Sequence, residues 1–211
     1  MSTQPTPAKL FVDTGASGDV VLNWHGHPPD KLYLYANEYH CAARRLVERS
    51  SAQELRDIGS CPVVFLYRHS LELLLKDILM TGLPLRHGSP QAKSIVELGH
   101  DLKQLCGACE TLLKEVSLWA EWRESFDTLG TVISEFASVD VGSFSFRYPI
   151  ATDGTSASLR ANRQDSGFAF DLKHFCRTMD ELLRVLHGLA SQVAVIVQRS
   201  QDGSDEVHQT E

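Results

Sequence analysis

The stretch Cys61–Gly82, CPVVFLYRHSLELLLKDILMTG, constrains the fold more than any other part of the chain. Its apolar residues run almost completely around a helix, which is the pattern of a central helix buried on several sides. Pro62 near its start and Gly82 with Pro84 near its end are typical of helix boundaries. The stretch therefore predicts an all-α domain whose other helices surround this one.

A narrow polar stripe interrupts the apolar surface of this helix. At about 100° per residue, Arg68, His69, Glu72 and Lys76 fall within one arc. Glu72 can pair with a cation one turn away on either side. Two interpretations stay open: an ion-pair network that holds neighbouring helices in register, and the wall of a site. The network is the simpler one, because buried charges generally persist only when paired.

Apolar periodicity predicts four further helices, at about residues 31–51, 100–116, 118–138 and 171–198. The last three carry apolar residues seven positions apart, as in Leu102, Cys109 and Val116. Such seams in consecutive helices favour near-antiparallel packing. We predict a four- to five-helix antiparallel bundle over residues 31–199.

Three segments depart from this helical pattern. Residues 1–30 are small, polar and rich in Pro and Gly, and we predict an N-terminal arm that resembles a β-hairpin. Residues 140–170 form an excursion between the last two helices, also predicted to be hairpin-like, and connections of that length are often functional. The acidic, polar segment 200–211 is predicted to be a disordered tail.

The composition limits the classes of function. A net charge of −7 and a pI near 5.7 argue against binding DNA or RNA through bulk electrostatics, although a local basic pocket remains compatible with them. No apolar run of membrane-spanning length and no signal-peptide pattern is present, so we expect a soluble cytoplasmic protein. Five cysteines without a secretion signal indicate reduced thiols. Cys106 and Cys109 form a single CxxC, for which core packing is simpler than metal binding, and we predict no metal or cofactor.

Three segments carry a resemblance to a known family: YRHSLELLLKDIL at 67–79, GHDLKQL at 99–105 and FRYP at 146–149. Together they resemble the HEPN superfamily, small helical-bundle domains named for prokaryotic and eukaryotic nucleotide binding. The resemblance covers roughly residues 31–198 as an ordered set of elements. It implies a bundle that forms homodimers. It also implies either a ribonuclease of toxin–antitoxin or phage-defence systems, or a non-catalytic partner of nucleotidyltransferases or RNA.

The ribonucleases of that family carry an Arg followed by a His after four to six residues, and no pair in this sequence has that spacing. Arg184 and His187 are too close, and Arg177 and His187 are too far apart. The resemblance therefore favours a non-catalytic or degenerate module that binds RNA, a nucleotide or a partner protein. A divergent metal-independent ribonuclease is the alternative.

The candidate ligand-binding residues lie on the central helix, at the start of the third helix and on the excursion. They are Arg68, Glu72, Lys76, Asp101, Arg147 and Tyr148. Arg and Lys offer donors to phosphate, and Asp101 is also predicted to cap its helix. If the protein is an enzyme, His69 and His100 are the catalytic candidates because His exchanges protons near neutral pH.

A remote alternative comes from Asp13-Thr14-Gly15 in the arm. This sequence resembles the active-site turn of aspartic proteases, in which two such aspartates share a proton and activate water. Those enzymes are all-β, whereas almost everything after residue 30 is predicted to be helical.

Overall fold

The computed structural model describes residues 29–86, 92–140, 146–147 and 169–208. Within these ranges the chain is helical and contains no strand, which confirms the all-α prediction. The α-helices are α1 Pro29–Arg49, α2 Cys61–Gly82, α3 Ala92–Glu97, α4 Leu102–Glu115, α5 Trp119–Val139 and α6 Leu172–His208. Two 3-10 turns, Asp57–Ser60 and Leu83–Leu85, flank α2.

The helix boundaries differ from the predicted ones chiefly at the end of α6. This helix continues to His208, whereas the pattern predicted an end near 198, so α6 overlaps the predicted tail at 200–211. No proline interrupts residues 172–208, and the Ser200 hydroxyl donates a hydrogen bond of 2.7 Å to the carbonyl of Val197. The apolar periodicity ends near residue 198, whereas the helix itself continues to His208.

Both predicted hairpins fall largely outside the described residues. The arm at 1–28, which includes Asp13, and most of the excursion at 140–170, which includes Tyr148, are not among them. The described part of the excursion is Asp140, Phe146 and Arg147 together with residues 169–170. The hairpins therefore stay predictions.

α2 occupies the position that its sequence predicted. It packs against α1, α4 and α6, and α4 in turn packs against α5. Side chains on all sides of α2 are inaccessible to solvent, including Leu71, Leu74, Leu75 and Ile78. Burial of each such side chain stabilises the fold by about 1.5–3 kcal/mol, which explains why this helix is apolar around most of its circumference.

The seven-residue seams are buried in the three later helices. Their fully or nearly buried members are Leu102, Leu105, Cys109 and Leu112 on α4, Phe126, Leu129, Ile133 and Phe136 on α5, and Met179, Leu182, Leu186, Leu189 and Val193 on α6. Each set recurs at helical spacing, so each helix turns one stripe towards the core. None of the described helices combines the length and the apolar character that crossing a membrane requires.

Buried polar groups fix α1 against α2. The Ser70 hydroxyl donates to the carbonyl of Ala36 at 2.7 Å, and the backbone N–H of Tyr33 donates to Asp77 Oδ1 at 3.0 Å. Both bonds join residues that are far apart in sequence. They satisfy polar groups that would be costly to bury unpaired, and they set the register between the two helices.

Candidate functional site

The polar stripe of α2 is centred on Glu72, whose side chain is only 1% exposed. Arg68 Nη1 lies 3.3 Å from Glu72 Oε2, and Lys76 Nζ lies 2.8 Å from Glu72 Oε1. His100 Nδ1, at the start of α4, lies 2.7 Å from the same Oε1. Burial alone would raise the pKa of Glu72, but the hydrogen bonds from Lys76 and His100 outweigh it and lower that pKa. The carboxylate is therefore ionised and accepts three hydrogen bonds.

Arg68 joins α2 to the turn before α4. Its Nη2 donates to the carbonyl of His100 at 2.9 Å, while its Nε is buried and has no hydrogen-bond partner within the described residues. Burial lowers the pKa of Arg68, and the charges of Glu72 and Asp140 counteract that effect. The guanidinium thus stays charged in a nearly closed environment because two carboxylates lie near it.

Arg147, from the excursion, reaches the same region of α2. Its guanidinium carbon lies 5.6 Å from the centre of the Phe65 ring, a cation–π contact. Its positive charge acts on both Arg68 and His69. The sequence placed Arg147 near the central helix only as a hypothesis, and the structure brings it there.

His69 is held by aromatic neighbours. Its ring stacks on Phe65 at 5.6 Å and meets Tyr39 of α1 edge-on at 4.6 Å. Burial is the main reason that the pKa of His69 is lowered, and Glu72 only partly opposes it. His69 is therefore a neutral packing residue at neutral pH, and its ring contacts make it the weaker of the two catalytic candidates.

Asp101 caps α4, as predicted. Its Oδ1 accepts hydrogen bonds from the backbone N–H groups of Lys103 and Gln104 at 2.9 and 3.2 Å. Burial acts to raise the pKa of Asp101, and these bonds more than offset it, so that pKa is lowered. The cap fixes the start of α4 and so positions His100 beside Glu72, while the second oxygen of Asp101, Oδ2, accepts a hydrogen bond of 3.0 Å from Gln104 Nε2.

We call Arg68, Glu72, Lys76, His100, Asp140 and Arg147 the Glu72 cluster. Within these residues, three permanent cations, Arg68, Lys76 and Arg147, accompany two carboxylates. The His100 side chain is 58% exposed, so its Nε2 side faces towards solvent while Nδ1 is held by Glu72. Chemically, the cluster offers cationic donors to an anion and one carboxylate-oriented imidazole.

A second polar cluster, which the sequence analysis missed, joins α1, α2 and α6. Asp180 Oδ1 lies 2.6 Å from His40 Nε2 and accepts a hydrogen bond of 2.8 Å from the Tyr67 hydroxyl. Burial, followed by the bond to Asp180, raises the pKa of Tyr67, which keeps its phenol protonated. His40 and Asp180 are separated by 140 residues, so no local spacing could have indicated the pair.

The cysteines agree with a packing role. Cys109 is fully buried and its Sγ lies 3.5 Å from the carbonyl of Leu75. Burial raises the pKa of Cys106 to about 11, with a smaller effect from Glu110. Such thiols are poor nucleophiles because little thiolate is present. The side chains that the structure describes contain no group of three His, Cys, Asp or Glu residues that could hold a metal ion.

No family model matches this sequence, and comparisons with curated proteins and with solved structures give no match either.

Proposed function

We propose that this chain is a non-catalytic, HEPN-like binding module that holds a phosphate-bearing ligand, a nucleotide or an RNA, at the Glu72 cluster. The observation that carries the proposal is that the buried carboxylate of Glu72 holds two donors, Lys76 and His100, whose side chains are 16% and 58% exposed. Arg68 pairs with Glu72 beneath them, so these two donors are positioned at the surface of the protein for an anion.

The exposure of the individual donors supports this function. Within the described residues the Lys76 ammonium donates to one partner, Glu72, and its side chain is 16% exposed, which leaves further N–H donors for a ligand. His100 is more exposed still. Arg68 and Glu72 lie beneath them and fix their positions. A phosphate placed at Lys76 would receive charge-assisted hydrogen bonds without displacing the buried pair.

The same proposal includes the finer architecture that the resemblance implies. The chain would form an antiparallel bundle that assembles as a homodimer, acting in a defence or toxin–antitoxin context, with a partner protein as a further possible ligand. Contacts of α2 with α1, α4 and α6 support a bundle around α2. Light scattering across a concentration series tests the dimer, and a monomer at the highest concentration would contradict it.

Filter binding with labelled mixed RNA and labelled ATP tests the ligand. We expect Lys76→Met to weaken binding by about tenfold, since a hydrogen bond to a charged group contributes about 1.5–3 kcal/mol. The salt dependence of RNA binding should also become shallower. Lys173→Met, an exposed lysine at the start of α6, is the matched control and should bind as the wild type does. Equal losses in both variants, or no binding by the wild type, would refute the proposal.

A specific observation favours one alternative, a metal-independent ribonuclease that uses His100. Glu72 holds Nδ1 of an exposed imidazole, the arrangement that leaves the other ring nitrogen able to exchange a proton. Incubation of labelled tRNA with the wild type and His100→Ala in EDTA distinguishes the two functions. Cleavage by the wild type alone would establish the enzyme, and intact RNA with both proteins supports the binding module.

A further inference from the structure

A cavity lies between α2, α5, α6 and Phe146 of the excursion, and the described residues that line it include none of the six residues of the Glu72 cluster. Its volume is about 180 Å³. An apolar cavity of about 150 Å³ can hold benzene, so this one accommodates a compact group about the size of one ring. Its walls are mostly apolar, and its largest components are the rings of Phe136, Phe146, Phe170 and Phe175.

The phenylalanine rings stand at steep angles to one another. Phe175 meets Phe170 with centroids 5.8 Å apart and an interplanar angle of 74°, and it meets Phe136 at 6.1 Å and 83°. Phe175 therefore packs edge-to-face with both rings in the wall of the cavity. Aromatic rings that line a cavity attract methylated ammonium groups, because a cation is attracted to the negative face of a ring.

Two carboxylates stand among the described side chains that line the cavity. Glu135 of α5 and Asp171, which caps α6, both line it, and Thr178 and His174 complete its polar edge. Asp171 Oδ1 accepts hydrogen bonds from the backbone N–H groups of Lys173 and His174, and chiefly the second of these lowers the pKa of Asp171. Its carboxylate is therefore ionised at neutral pH, and the described residues that line the cavity include neither Lys nor Arg.

We infer that this phenylalanine cavity binds a compact organic cation, of the class of methylated or alkylated ammonium groups, with the ammonium among the rings and its charge near Glu135 and Asp171. A neutral apolar ligand of the same shape would fit between the rings equally well. It would gain no electrostatic attraction from the two carboxylates or from the ring faces. The inference does not depend on the phosphate-binding function proposed above.

The test compares two probes of equal shape and different charge on the wild-type protein. Choline and its neutral carbon analogue 3,3-dimethyl-1-butanol are titrated by calorimetry or by ligand-observed NMR. We expect choline to bind about fivefold more tightly, as one cation–π interaction at a partly exposed site predicts. Equal affinity of the two probes, tighter binding of the alcohol, or no binding of choline at millimolar concentrations would overturn the inference.

Substitutions of lining residues test whether choline binds in this cavity. Glu135→Gln should reduce the preference for choline while leaving the alcohol unaffected, because it removes charge without changing shape. Glu124→Gln, an exposed carboxylate on the same helix, is the matched control and should retain the preference. Phe146→Leu keeps the site apolar but removes a ring, and should weaken choline more than the alcohol. A choline preference that is unchanged in both Glu135→Gln and Phe146→Leu would place the binding elsewhere and refute this site.

Discussion

Replacement of Glu72 by Gln removes the one negative charge that three donors share inside the fold. The variant keeps the shape and the ability to accept hydrogen bonds, but Arg68 then lies buried with its nearest counter-charge gone. Breaking a buried ion pair from one side costs about 3–5 kcal/mol. We expect about 3 kcal/mol, at the low end of that range, because Asp140 still stabilises the charged form of Arg68.

The chain offers a control with nearly the same bond. Lys114 Nζ lies 2.7 Å from Glu110 Oε1 at the same i, i+4 spacing, but those side chains are 54% and 38% exposed. Glu110→Gln should therefore cost about 0.2–1 kcal/mol. Urea unfolding followed by circular dichroism measures both values. The double variant Arg68→Leu/Glu72→Leu should be more stable than Glu72→Gln, because the guanidinium no longer lies buried beside a neutral side chain. Similar losses in Glu72→Gln and Glu110→Gln would show that the cluster is hydrated and that this reasoning is wrong.

Three further outcomes follow from close contacts and titrating groups. Gly82→Ala should destabilise the protein by about 1–3 kcal/mol, because the new Cβ would lie 2.5 Å from Cδ2 of the buried Leu112. At Gly130 a new Cβ would meet nothing within 4 Å, so Gly130→Ala should instead stabilise α5 by about 0.5–1 kcal/mol. A lower free energy of unfolding in urea for both variants would contradict the packing argument. Burial, and then the charge of His40, lower the pKa of His187 below 6.5, so the unfolded chain binds a proton there that the folded chain does not. The free energy of unfolding should therefore decrease as the pH falls below 6.5. This decrease should be less steep in His187→Phe. If the dependence of unfolding free energy on pH is the same in that variant, other groups cause the effect.

The sequence predicted the helices well because their signals are local. Apolar periodicity located α2 at its observed bounds and identified the buried stripes of α4, α5 and α6. Apolar periodicity is a weaker guide to helix ends that lack apolar residues. For example, α6 continues to His208, beyond the last residue of its periodic pattern. Such extensions rest on backbone hydrogen bonds, which the side-chain pattern does not record.

Part of the candidate site was likewise predictable from local sequence. Arg68, Glu72 and Lys76 share one face because they are one turn apart on a single helix, and that follows from helix geometry alone. The position of Asp101 as a cap was likewise readable, since its bonds span only two and three residues. These features required no knowledge of how the helices pack.

Only the tertiary structure decided which distant residues meet. His100 reaches Glu72 across 28 residues, Arg147 rests on Phe65, and Asp180 meets His40 across 140 residues. The four phenylalanines of the cavity come together in the same way, from α5, the excursion and the start of α6. Each meeting depends on how whole helices dock, and that is set by the sum of many core contacts. The sequence by itself therefore determined the helices and the polar face of α2, and packing determined which distant residues join that face and which line the cavity.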